Sequence, residues 1–335
     1  MAQTYVLDNI RASFSGKSGL ITRIETFTED SGMSLTLSNF LAYYHLDVQS
    51  IYSRGLFSRL CVAAGVREDY SEPLEEIVQR AAPRLCSIDS RQFIKFIIHL
   101  LDNIHNIDYA KLTPNDAAML RMFYYTIWQE DVANIESSNI VRNLIALDAC
   151  PNVKNEIIEL MRYNFDHIDF LDEKVDIGFD SPLDLYCTYT RDQLLLGIGF
   201  FKPSAVREGV KWLQDKNCDI FMITLNKSEK DYSPTTMYHD YSINEYLFHW
   251  QSQSGTAPES PTGQRYQTHG LSDNRVLLFV REFKRDKFGF TAPYTYLGLA
   301  TYVSHEGGRP MSITYQMDKP IPARYLKKTN KLLVG

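Results

Sequence analysis

At 335 residues, with 44% hydrophobic and 13% aromatic content, the chain can bury a substantial core, and its length predicts two domains. No stretch of about twenty apolar residues occurs, and Met1 to Phe14 shows no basic segment followed by an apolar one, which argues against a spanning helix or secretory signal and predicts a cytoplasmic protein without membrane attachment. The net charge of -6 conceals a division: residues 186–335 hold 19 Lys and Arg against 14 Asp and Glu, whereas the remainder holds 16 against 27, so the C-terminal half is the one fit to meet a polyanion.

From Gly19 to about Phe165, apolar residues recur at three- and four-residue intervals, as in Phe93, Ile94, Ile97, Ile98 and Leu101, and predict amphipathic helices. The helix after Thr113 carries its own start signal, with Thr113 as N-cap, Pro114 at the first helical position and Asp116 placed for a capping box. Residues 31–66 predict three short helices around Leu37, Phe40, Leu41, Ile51, Leu56, Phe57 and Leu60, a pattern open to a helix-turn-helix or to a plain packing bundle. Arg54 and Arg59 are the cations its second and third helices offer a phosphate backbone, which favours the bundle.

The period changes after Asp180-Ser181-Pro182. Segments 182–189, 208–214, 218–225, 246–251, 275–284, 294–303 and 311–317 are rich in β-branched and aromatic residues and are separated by turn residues, which predicts a mostly antiparallel β domain. Asp215-Lys216-Asn217 is a hairpin link, and short helices are expected at 191–197 and from Pro322 to Leu326. The expected fold class is α+β: an all-helical module, 1–180, followed by a β-barrel-like pseudobarrel domain, 181–335.

Catalytic signatures are scarce. Gly16-Lys17-Ser18 resembles the end of a phosphate-binding loop, but Arg11 stands where its first glycine is required. No Gly-x-Ser-x-Gly elbow and no His-Glu-x-x-His helix is present. The five cysteines are scattered, without a Cys-x-x-Cys pair, so buried free thiols are expected rather than zinc or disulfides, and no cofactor or metal is predicted. One pattern leaves an enzyme reading open: Asp273 followed by Glu282 and Lys284 has the carboxylate, carboxylate, lysine order of many magnesium-dependent nucleases.

The segment 227–266 is the more informative region. It is crowded with amides, hydroxyls, aromatic rings and cations, and outside Tyr246 to Trp250 it lacks the periodicity of a buried element, as expected of a recognition surface on irregular backbone. Nucleic-acid binding requires cations for phosphates, amides or arginines for base edges, and rings for unstacked bases. Lys227, Lys230, Tyr232 and Ser233 suit the backbone; Gln251, Ser252, Gln253, Gln264 and Arg265 suit base edges; Trp250 and Tyr266 suit stacking, with Trp250 and Tyr246 equally open to a place in the core of a strand. His305 to Arg309, with two glycines between them, read either as a turn that brings a cation against a phosphate or a base edge or as a plain hairpin turn.

From about Leu183 onward the chain resembles an uncharacterised bacterial domain family found at the C-terminus of large proteins with a phospholipase-D-type nuclease domain and a superfamily II helicase. The likeness is carried by YTRDQLLLGIG (189–199), TLNKSEKDYSPTTMYHDY (224–241), LFHWQSQS (247–254), ESPTGQRY (259–266), VLLFVREFK (276–284), PYTYLGLATYVSHEGGRPMSI (293–313) and PIPA (320–323). The strand pattern is also similar to B3-like DNA-binding pseudobarrels. The resemblance implies a non-catalytic module that recognises double-stranded DNA, by sequence or by modification, in a restriction or phage-defence system, with nuclease and helicase domains or subunits as partners. A magnesium-dependent nuclease and a helicase-docking protein module are the alternatives.

Overall fold

A computed structural model of the protein describes residues 16–132, 134–135, 139–227, 240–268 and 273–329. The chain divides into two compact units, 1–169 and 170–335. The division falls ahead of Asp180 because β1 (Glu173–Lys174) pairs antiparallel with β2 (Asp184–Leu185), which ties the residues before the proline to the second unit.

Among its described residues the first unit has helices and no strand: α1 (Lys17–Ser31), α2 (Leu37–Tyr44), α3 (Val48–Tyr52), α4 (Phe57–Ala63), α5 (Glu75–Leu85), α6 (Arg91–Asp102), α7 (Pro114–Trp128), α8 (Ile140–Asp148) and α9 (Pro151–Asp166), with a 3-10 turn at Tyr109–Lys111. Helix α9 is central and touches α2, α4, α5, α6 and α8. The seven apolar residues read as the core of 31–66 are all buried. Arg59, however, donates to Glu75, Asp69 and the Tyr70 carbonyl, so it is bound within its own unit. Helix α7 starts as its sequence predicts, the Thr113 hydroxyl accepting from the Asp116 N–H and donating to the Asp116 carboxylate, with Pro114 in the first turn.

Three helices of this unit bond first-turn N–H groups to distant carboxylates. Glu156 accepts from the N–H groups of Phe57 and Ser58 at 2.6 and 2.9 Å, Glu72 from those of Asn152 and Val153, both at 2.9 Å, and Glu159 from that of Leu37 at 2.7 Å. Each N–H lies in the first turn of α4, α9 or α2, where no intrahelical acceptor exists. A carboxylate also complements the positive end of the helix dipole. Burial pushes the Glu156 carboxyl above its ordinary range, and the bonds from Ser58, Tyr52 and Phe57 oppose that shift.

The second unit is built on an eight-stranded mixed sheet. Its strands are β3 (Thr188–Tyr189), β4 (Val210–Leu213), β5 (Cys218–Thr224), β6 (Tyr241–Ser242), β7 (Leu247–Gln251), β8 (Arg275–Arg281), β9 (Tyr294–Glu306) and β10 (Ser312–Met317), in the order β4-β5-β8-β9-β10-β7-β6 with β3 also on β9. Every pairing is antiparallel except β5 with β8. The expected link between β4 and β5 is a short 3-10 turn ending at Asn217, which adopts the left-handed conformation.

The sheet curls without closing. Register shifts at Leu278/Phe279 and Thr314/Tyr315 bend it, the first beside Gly298 at φ +88, a backbone conformation that a side chain would strain. The curl brings β5 opposite β7, so that Phe221 stacks on Trp250 with ring centroids 4.1 Å apart. Around this pair gather Val276, Leu278, Val280, Leu297, Ile313 and Tyr315. Two helices add one ring each to this core, Tyr266 from α11 (Pro261–Thr268) and Tyr325 from α12 (Ala323–Thr329), while α10 (Arg191–Gly197) is fixed by a capping box between Thr190 and Gln193. Four of the five cysteines are buried and all are free; burial pushes the Cys61 and Cys218 thiols up to about 12. Among the described residues no helix is long and apolar enough to cross a membrane.

Candidate nucleic-acid interface

The structure brings together the two clusters expected to meet bases, 250–253 and 264–266, but as construction of the core rather than as an open surface. Trp250 is 4% exposed and Tyr266 0%, and the two rings meet edge to face at 5.3 Å. With Phe221 stacked on one ring and edge-on to the other, neither offers a face to an unstacked base, which corrects their expected role. The Tyr266 hydroxyl donates to Gln253 Oε1, which also accepts from Thr256, so the Gln253 side chain is engaged internally. Ser252 is fully buried: its N–H donates to the Met311 carbonyl and its hydroxyl accepts from the Met311 N–H, extending the β7 to β10 pairing by one residue.

Two of the expected cations are likewise engaged. Arg265 forks onto Asp219, with Nε and Nη2 at 2.8 and 3.1 Å from its two oxygens, and its guanidinium lies 4.2 Å over the Trp212 ring. Asp219 has no exposed surface, and burial raises its carboxyl above the ordinary value while Arg265 pulls it back. Lys227 Nζ lies 2.8 Å from Asp240 Oδ2, a pair in which both side chains are nearly buried. Asp240, also raised by burial, accepts from the Gln251 N–H as well. Lys230, Tyr232 and Ser233 lie outside the described residues.

The reason the segment folds this way lies in ESPTGQRY. Ser260 accepts from the Gly263 N–H and Pro261 opens α11, the pairing of cap and first-turn proline that starts a helix. A Cβ on Gly263 would stand 2.0 Å from the Ala257 carbonyl oxygen, so only glycine permits this approach. Only Gly263 and Tyr266 of the helix are buried, too few for a periodic signal. The signal available was the Ser-Pro start, together with Asp219 inside CDIFMITL: a carboxylate in a strand buried along its whole length requires a cation.

Gln251 and Gln264 keep surface exposure, with Nε2 bonded to Ser312 and to the Pro258 carbonyl respectively. Arg309 is exposed and His305 half-buried, its Nδ1 lying 2.8 Å from the Tyr302 hydroxyl. Both sit where β9 and β10 project, with Val303 beside them 50% exposed.

Cations gather at the opposite end of β9. There a cleft of about 280 Å³ is lined by Arg281, Arg285, Thr295, Arg324 and Tyr325, with Glu282 and Asp286 also on its wall. Arg281 is 8% exposed and is held by Thr224 Oγ1 at 2.9 Å, by the Ala292 carbonyl at 3.1 Å and over the Tyr294 ring at 4.3 Å. Arg324 donates to Thr295 Oγ1 at 3.0 Å and Arg285 to the Gly289 carbonyl at 3.0 Å. Asp286 Oδ1 accepts from the N–H groups of Phe288 and Phe290, which anchors the turn carrying Lys284 and Lys287.

The nuclease pattern does not assemble. Asp273 precedes β8 and Glu282 follows it, so the seven residues of the strand, about 23 Å, lie between the two positions. They cannot share an ion. Asp172, Asp184 and Cys187 form a closer group, but Lys174 Nζ lies 2.7 Å from Asp184 and neutralises it.

Residues 183–328 match the family described as Domain of unknown function (DUF3427). The match begins where the sequence resemblance begins and covers a little under half of the chain, all within the second unit. No curated protein matches the chain.

Proposed function

We propose that the C-terminal unit recognises double-stranded DNA, by sequence or by base modification, as the non-catalytic recognition part of a restriction or phage-defence system that also contains nuclease and helicase domains or subunits. The observation that carries this reading is the placement of charge. Arg281, Lys284, Arg285 and Lys287 fall within seven residues at the end of β8, and Arg324 faces the same cleft. Clustered cations neutralise phosphates and release their counterions, which supplies most of the free energy of sequence-independent DNA binding.

Base contacts are assigned to the surface that remains once the core is subtracted: Gln251, Gln264 and the projecting turn with His305 and Arg309. Amides suit adenine edges and arginine suits guanine in the major groove. Gel shifts of the full chain on randomised duplexes, methylated and unmethylated, across a salt series test the proposal. DNA recognition predicts log affinity falling linearly with log salt, and enrichment of a sequence or a modification. An absence of binding to every duplex at low salt would remove DNA and leave protein docking as the function of this unit.

A further inference from the structure

Three guanidiniums converge on the cleft beside β8, and two of them have no carboxylate partner among the described residues. Arg281 is held by a hydroxyl, a carbonyl and a ring face, and Arg324 by the hydroxyl of Thr295 and the ring of Tyr325, 5.2 Å away. Asp219 and Asp240, by contrast, each have a dedicated cation. A nearly buried guanidinium with neutral acceptors has lost hydration without gaining an opposite charge, and a second one across the same cleft adds repulsion. An oxyanion between them relieves both. The neutral acceptors also fix the arginines: Arg281 directs Nε and Nη1 to the protein, leaving Nη2, and Arg324 directs Nη2 to Thr295, leaving Nε and Nη1. Guanidinium N–H groups in a fixed plane match phosphate oxygens in geometry as well as charge.

We infer that this cleft binds a single phosphate group between Arg281 and Arg324, as a phosphodiester of bound DNA or as free phosphate. The DNA source rests on the function proposed above, whereas the phosphate chemistry rests on the cleft alone. Glu282 and Asp286 on the wall favour a singly charged phosphodiester over a more highly charged ligand, since each added negative charge meets them as well.

The test uses the full chain and Arg324→Gln, a substitution at an exposed position on α12, with Arg324→Met as the second variant should the first lose its circular dichroism spectrum or cooperative melting. Fluorescence anisotropy with a labelled duplex is followed across a salt series. The inference predicts about tenfold weaker binding and a salt dependence shallower by about 0.9 in the log-log slope, the change expected for one lost phosphate contact. Unchanged affinity and slope in a folded variant, with the unaltered chain still binding, would overturn the phosphate site and leave the DNA reading standing. If the unaltered chain binds no duplex, the DNA reading fails, and titration of inorganic phosphate monitored by phosphorus NMR decides the site: saturable binding lost in Arg324→Gln sustains it with free phosphate as ligand, and no saturable binding overturns it.

Discussion

The two units handle buried charge in opposite ways. In the helical unit, the buried Glu156, like the half-buried Glu72 and Glu159, is matched not to a cation but to backbone N–H groups at the start of a helix far away in sequence. In the β unit, Asp219 and Asp240 sit against the sheet and are matched to Arg265 and Lys227. The difference follows from secondary structure: helices expose several unsatisfied donors at their ends, whereas strands inside a sheet have paired most of theirs, the Gln251 N–H that Asp240 accepts being an exception, so a carboxylate among them needs a charged side chain. The net charge of a region is therefore a poor measure of the charge it presents to a ligand. Lys227 and Arg265 count toward the basic balance of residues 186–335 but are engaged in core ion pairs, whereas the densest cluster of cations lies at 281–287 with Arg324.

The sharpest way to break this comparison is to remove one member of a core pair. Arg265→Ala leaves Asp219 buried without its counterion, and the second unit should lose roughly 3–5 kcal/mol in urea unfolding. A pH signature separates this from lost packing over Trp212. Burial already raises the folded Asp219 carboxyl above its unfolded value, and loss of Arg265 raises it further. A carboxyl raised in the folded state binds more protons there than when unfolded, so its penalty is absent below the unfolded value and grows as pH climbs through the folded one. The deficit of Arg265→Ala should accordingly be smaller at about pH 4.5 than at about pH 8. A constant deficit would mean that the guanidinium acts through its ring contact alone.

On the helical side, Glu156→Ala strands two first-turn N–H groups of α4 in a buried setting and should cost about 2 kcal/mol, with Glu156→Gln milder because one acceptor oxygen survives. An equal loss for Glu156→Ala and Glu156→Gln would show that the charge, and not the hydrogen bonding, is what α4 requires.

How far these arrangements were legible in the sequence depends on how local their causes are. The start of α7 was readable because cap, proline and acceptor lie within four residues, and the seven core residues of 31–66 because helical spacing displays them. The β unit was readable from its apolar runs and turn residues. Helix α11 was not: its role is to insert one ring, and a helix that buries only Gly263 and Tyr266 has no amphipathic pattern to display. The partners of Lys227 and Arg265 were hidden for another reason. Asp240 lies 13 residues beyond Lys227, across a polar stretch, and Asp219 lies on β5, 46 residues before Arg265, so neither pair shows as a local pattern in the sequence.

The smallest effect on stability should come from the cations left outside the core, and it is the most discriminating for function. Lys287 is exposed on the turn that Asp286 anchors through backbone N–H groups, and Lys287→Gln leaves those two Asp286 bonds in place. Unfolding free energy should change by less than about 0.5 kcal/mol, as for most surface substitutions. If the turn meets a phosphate backbone, the same substitution should weaken duplex binding a few-fold at low salt, uniformly across sequences, and flatten the salt dependence. Gln264→Ala should do the reverse, relaxing any sequence preference with little change in salt slope, because an amide at a base edge releases no counterion. A Lys287→Gln variant that binds DNA with unaltered affinity and slope would place the phosphate contacts elsewhere and end the contrast between charges that build the core and charges that meet the ligand.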